Sequence, residues 1–102
     1  MIYYVDIDDT ICMYPDKREY HLAVPDQKRI DKINDLYRHG NTIVYWTARG
    51  STSGLDWHDL TKMQLIKWGA LHHDLILGKP HYDVFIDDKA ITSGTYFDQD
   101  TQ

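Results

Sequence analysis

The spacing of apolar and polar residues changes several times along this chain, and each change marks a predicted element. Ile2-Tyr3-Tyr4-Val5 is an unbroken run of β-branched and aromatic residues, which predicts a buried strand over 2–7. From Cys12 to Pro25 no period is sustained, and Pro15 and Pro25 bracket a polar middle, so 12–25 reads as a loop or flap. Asp26 then suits a helix cap. Ile30, Ile33 and Leu36 recur every three positions, Arg38 and His39 suit the C-terminal dipole, and Gly40 is a stop, so a helix is predicted over 27–39. "NTIVYWT", 41–47, predicts a second strand and "ARGSTSG", 48–54, a Gly/Ser loop. A second helix is expected over 55–68, with Trp57, Leu60, Met63 and Ile66 as its apolar face and Gly69 as its end. Short strands are expected at 74–77, "DLIL", and 83–87, "DVFID". Strands alternating with helices through short connections predict one α/β domain over 1–102, a Rossmann-like three-layer fold around a small parallel sheet.

Composition narrows the class. The 102 residues are 42% hydrophobic and 26% charged, with no repeat or low-complexity tract. No apolar run approaches the roughly 20 residues that span a bilayer, and nothing at the N-terminus reads as a signal peptide. Cys12 is the only cysteine, which rules out an intramolecular disulfide and makes a reducing cytoplasm the expected setting. A net charge of −5 argues against broad binding to nucleic acid or an anionic membrane, although a local cation could still draw in a small anion. Of sixteen acidic residues only Glu19 is Glu. Asp is a mediocre helix former, so this excess points to loops and sites.

Ligands of parallel α/β sheets sit beyond the carboxyl ends of the strands. There the sequence places Asp6 and Asp8 after the first strand, Thr47 and then Arg49 after the second, Lys79 after the third, and Asp87-Asp88 after the fourth. Each has a bland reading by itself: a turn or cap for Asp8-Asp9-Thr10, a strand residue for Thr47, a solvated surface charge for Lys79. Four strand ends carrying complementary groups form a constellation. Asp6 and Asp87 are hard oxygen donors suited to Mg²⁺. A carboxylate can attack phosphorus, a second two residues on can move protons, and Lys79 and Thr47 can hold a phosphoryl group. Arg49 could grip a substrate phosphate or anchor its own loop.

"DIDDT", "WTARG", "GKP" and "FIDDKA" resemble, in order, the four motifs of phosphatases of the haloacid dehalogenase superfamily, from Asp6 to Ala90. The resemblance implies Asp6 as a nucleophile forming an aspartyl-phosphate and Asp8 as general acid/base, its carbonyl also a Mg²⁺ ligand. It implies Thr47 and Lys79 as phosphoryl ligands, Asp87 as a metal ligand, and Asp88 behind it or paired with Lys79. Where Asp9 stands, the family more often has Gly. The gaps from Thr10 to Thr47 and from Thr47 to Lys79 leave no room for the cap domain that members often insert, so the chain resembles a capless member with an open site. "WTARG" and "KPHYDVFIDDKAI" are also similar to short phosphatases of capsule and surface-polysaccharide synthesis, which implies a sugar phosphate as the small phosphorylated substrate.

A phospho-signalling receiver needs its acceptor Asp on a middle strand, where this chain has Trp46-Thr47. A non-catalytic phosphate-binding protein is the other class, and no motif is broken to favour it. Within the enzymes, a nucleic-acid phosphate end or a phosphoprotein is the runner-up, but "DKR" and "KR" are too sparse to follow a polynucleotide backbone. His72, His73, His81 and Cys12 have no usual zinc spacing. "GKP" lacks the rest of a P-loop. Tyr14, Tyr20 and His21 are flap residues that could touch substrate, and exposed aromatics with no cap leave a homo-oligomer open.

Overall fold

A computed structural model describes residues 1–51, 54 and 56–98. In chain order its elements are β1 (Ile2–Val5), β2 (Cys12–Met13), β3 (Val24–Pro25), α1 (Gln27–Arg38), β4 (Thr42–Thr47), α2 (His58–Lys67), β5 (Asp74–Leu77) and α3 (Ser93–Asp98). β1, β4 and β5 form a parallel sheet in that spatial order, with Val5 opposite Tyr45 and Thr47 opposite Leu77. The flap is a small antiparallel hairpin of β2 and β3, with one 3₁₀ turn at Tyr20–Leu22 between them.

Both crossovers step the same way across the sheet, and right-handed connections then place α1 and α2 on one face. Asn34 locks them together: its amide donates to the Gly69 carbonyl at 2.7 Å and accepts from Leu71 N–H at 2.8 Å. Ile30 and Ile33 of α1 and Leu65 and Trp68 around α2 pack on Val5, Ile43 and Tyr45. α1 follows its sequence pattern, with Asp26 accepting from Arg29 N–H and Gly40 leaving the helix at φ +91°. The opposite sheet face carries Tyr4 and Trp46, packed edge to face, with Phe85 against Trp46. No helix covers that face among the described residues, so the expected three layers reduce to helices on one side of the sheet.

Three further expectations need correction. The periodic face of α2 points outward: Met63 and Ile66 are 64% and 66% exposed, while Thr61, Gln64, Leu65 and Trp68 are buried. The cause is a buried arginine described below. The helix begins at His58, and Leu55, where it was expected to begin, lies outside the described residues, as do Thr52 and Ser53 of the preceding loop. The strand expected at 83–87 does not form. Phe85 and Tyr82 settle on the face of Trp46 and Lys79, so this segment packs by its rings and makes no ladder with β1 or β5, and Ile86 is 93% exposed. α3 had no predicted counterpart. It rests on α1 through Phe97 under Arg29 and Tyr96 under Lys32. No helix among the described residues is long and apolar enough to cross a membrane.

Tyr45 is fully buried, and its hydroxyl has no hydrogen-bond partner among the described residues. An unsatisfied buried hydroxyl costs about 1–3 kcal/mol. Tyr45→Phe removes it without changing ring volume and should stabilise the fold by about 1 kcal/mol in urea unfolding; a loss of stability would reveal a partner for the hydroxyl.

Candidate active site

The sheet register brings three strand ends to one edge. Asp6 follows Val5, Thr47 ends β4 opposite Leu77, and Gly78, at φ +90°, turns the chain so that Lys79 N–H donates to the Thr47 carbonyl at 3.1 Å. Beyond these ends opens a cleft of about 490 Å³. Asp6, Asp8, Thr47 and Lys79 line its floor, Arg18 and Tyr20 come from the flap, and His81 and Tyr82 follow Lys79.

Lys79 Nζ lies 3.5 Å from Asp6 Oδ1, and Thr10 donates its hydroxyl to Asp6 Oδ2 at 3.0 Å. The Lys79 ammonium is also flanked by the rings of Trp46 and Tyr82, at 5.4 and 5.5 Å from their centroids. Burial pushes the Asp6 carboxyl above its usual 3.8, and Lys79 and Thr10 offset only part of that rise. Thr47 is almost fully buried, and its oxygen accepts from Arg49 N–H at 3.2 Å. Among the described residues nothing takes its hydroxyl hydrogen, which is therefore available to a ligand in the cleft.

Asp8 has a different partner. Arg49 grips it with both branches of a fork, Nε to Oδ2 at 3.0 Å and Nη2 to Oδ1 at 2.8 Å. Arg49 Nη1 donates to Thr61 at 3.1 Å and Gln64 at 2.6 Å, and Nη2 also donates to Tyr14 at 3.3 Å. All five guanidinium N–H groups are thus spent within the protein, and the side chain has no exposed surface. The guanidinium also lies 4.7 Å over the Tyr20 ring. Of the two roles open to Arg49 in the sequence, anchoring is the one this geometry shows; it has no donor left for a substrate. Burial presses the Asp8 carboxyl upward, but the Arg49 fork and the Tyr14 hydroxyl outweigh it and hold Asp8 below the usual range. The same carboxylate, together with burial, pushes the Tyr14 hydroxyl up.

Asp9 adopts φ +62°, a left-handed conformation open to Gly and tolerated by Asp. Its carboxylate turns outward to Arg18 at 2.7 Å. Asp87 and Asp88 lie on the exposed segment, outside the cleft, with Asp87 accepting from Lys89 N–H. Among the described residues no three metal-ligating side chains gather. Asp6 faces Lys79, and Asp87 and Asp88 lie outside the cleft, so the side chains that the resemblance assigns to Mg²⁺ do not meet around one point among the described residues.

Sequence reading gave Tyr14 and Tyr20 only a general flap role and missed Thr61, Gln64 and Arg18. Two polar residues three apart, Thr61 and Gln64, on a helix otherwise read by its apolar stripe were the available signal. His21 faces solvent and pairs with Glu19.

No family model matches this sequence, and no curated protein matches it. The fold is similar to a structural-genomics target from Vibrio cholerae, with a TM-score of 0.83 over 94% of this chain and 86% of that one, at 21% identity. At this identity the likeness establishes the fold.

Opposite pKa shifts on Asp6 and Asp8 give opposite effects on stability. Asp8 titrates lower when folded, so its contribution is present above the unfolded value near 3.8 and is lost as the pH falls through the folded one. Asp6 titrates higher when folded, so its ionised form is a penalty, absent in strong acid and complete once the pH exceeds the folded value. At pH 7 Asp8→Asn should therefore destabilise by about 3 kcal/mol, since it strands a buried guanidinium. Asp6→Asn should raise the unfolding midpoint. Urea titrations of both variants check the signs, and a shared sign would contradict this account.

Proposed function

We propose that the chain is a phosphomonoesterase of the haloacid dehalogenase type, acting through an aspartyl-phosphate on Asp6 and taking a small phosphorylated metabolite such as a sugar phosphate. The observation that carries this reading is the convergence of Asp6, Lys79 and the Thr47 hydroxyl on the floor of one cleft at the carboxyl edge of a parallel sheet. Asp6 is partly exposed, and it is the carboxylate not locked by a fork. An oxygen of Asp6 forms a bond to phosphorus as the bond to the leaving oxygen breaks. Lys79 and the Thr47 hydroxyl meet the negative charge spread over the other phosphoryl oxygens. Water then cleaves the acyl phosphate, restoring Asp6 and releasing phosphate.

Asp8, held anionic by Arg49, suits this second step, in which a base takes a proton from the attacking water. For the first step it must pick up a proton, which Arg49 disfavours, so the geometry supports its role as base better than as acid. Mg²⁺ is part of the resemblance, but the four carboxylates do not assemble around one point, and no step here is routed through it.

The test is phosphate release from sugar phosphates, nucleotides and an aryl phosphate, with Mg²⁺ and with chelator. Asp6→Asn should abolish turnover, and Lys79→Ala should lower kcat/KM by about 100-fold, the usual cost of removing one preorganised charge-stabilising donor. Unchanged turnover in Asp6→Asn would end the mechanism. Phosphate-ester binding by wild type without any release would favour the non-catalytic phosphate-binding protein.

A further inference from the structure

The cleft is larger than a phosphoryl group requires; about 490 Å³ lies within the roughly 300–1,000 Å³ of sites for drug-sized ligands. Its walls therefore face the leaving group. Among the described residues, two carboxylates line the cleft, Asp6 and Asp8, and both belong to its floor, the first beside Lys79 and the second bound by Arg49. Three cations line it. Arg49 is spent, and Lys79 stands where the phosphoryl group is bound. Arg18 is the third.

Arg18 comes from the flap between β2 and β3. Its side chain is 60% exposed, one nitrogen of its guanidinium lies 2.7 Å from Asp9, and the rest stands 5.1 Å above the Tyr14 ring. The Asp8 carboxylate adds a weaker attraction from further off. Asp9 is also more than half exposed, so the pair is a weak surface ion pair. Such a pair is easily exchanged, and an arginine fork binds a carboxylate or phosphate through two parallel hydrogen bonds. Tyr14 supports the guanidinium from below, and Tyr20 and Tyr82 also line the cleft.

We propose that Arg18 reads a second anionic group on the leaving group, so that the preferred esters are doubly anionic small molecules, phosphorylated at one end and bearing a carboxylate or second phosphate at the other. In the free protein Asp9 occupies the guanidinium; the ligand's anion takes its place. This rests on the phosphatase reading for its first anion and names the substrate class of the same site.

Matched pairs test it. 6-Phosphogluconate and glucitol 6-phosphate differ in a terminal carboxylate, and fructose 1,6-bisphosphate and fructose 6-phosphate in a second phosphate. The wild type should prefer the more anionic member of at least one pair by tenfold or more in kcat/KM, with the difference in KM. Arg18→Gln should bring that ratio close to one, and Arg18→Lys should keep part of it; a merely structural loss would lower both members alike. The pair that responds identifies the anion. Ratios near one in both pairs, or a ratio unchanged by Arg18→Gln, would overturn the proposal. Should no ester be hydrolysed, the phosphatase reading fails, and calorimetric Kd values for the same pairs decide this one: an Arg18-dependent tenfold preference supports it, and equal affinities refute it.

Discussion

The fork between Arg49 and Asp8 sets the arrangement of everything around it. A guanidinium with no exposed surface must find acceptors for five N–H groups, because an unpaired buried charge costs several kcal/mol. The end of β1 supplies Asp8, the flap supplies Tyr14, and α2 supplies Thr61 and Gln64. Turning those two residues inward rotates α2 so that Met63 and Ile66, its most regular apolar positions, face outward. Gln64 then reaches past Arg49 to donate to the Tyr20 carbonyl at 2.7 Å, which draws the flap against the same helix. One side chain thus ties two strand ends, a flap and a helix. Such a buried pair is weak evidence of net stability, yet it fixes geometry because no other arrangement satisfies it as fully.

That fixation also divides the labour between two carboxylates two residues apart. Asp8 is gripped by a rigid fork and kept ionised; Asp6 has a flexible ammonium at 3.5 Å and a single hydroxyl, and burial presses it the other way. Neighbouring acids pushed in opposite directions are how one site separates its roles. On the proposed reading, the locked carboxylate holds its position while the less constrained one reacts.

Much of this was legible in the sequence, and the failures share a cause. α1, β4 and β5 were readable because their residues bury one face against a common core. β1, read as a buried strand, forms with Ile2 and Tyr4 70% and 59% exposed, because no helix covers their face of the sheet among the described residues. The meeting of Asp6, Thr47 and Lys79 followed from the rule for parallel sheets. Periodicity misled on α2 because Thr61 and Gln64 are buried for polarity, which no hydrophobic pattern records. It misled again at 83–87, where an apolar alternation suits a strand but the rings of Tyr82 and Phe85 found Trp46 and the backbone made no ladder. Asp87, which the resemblance assigns to the metal, lies on that segment outside the cleft. α3 lacked a period of its own; it exists through contacts of Tyr96 and Phe97 with α1.

Three aspartates within four residues would repel one another strongly if left alone, and the fold answers each with its own cation from elsewhere in the chain. Asp8 meets Arg49 after β4 at 2.8 Å, Asp9 meets Arg18 of the flap at 2.7 Å, and Asp6 meets Lys79 after β5 at 3.5 Å. The three pairs differ in how easily they part. Arg49 has no freedom, and its carboxylate stays with it. Arg18 sits in water, where exchange is cheap. Lys79 holds Asp6 by the longest contact of the three, and an arriving phosphate ester offers the ammonium more negative charge than one carboxylate does. On the proposed reading, Lys79 turns toward the ester and releases Asp6 as a phosphorus atom comes within reach. On that reading, the acidic cluster in "DIDDT" is therefore a set of paired charges in which one pair is fixed and the other two are built to be exchanged.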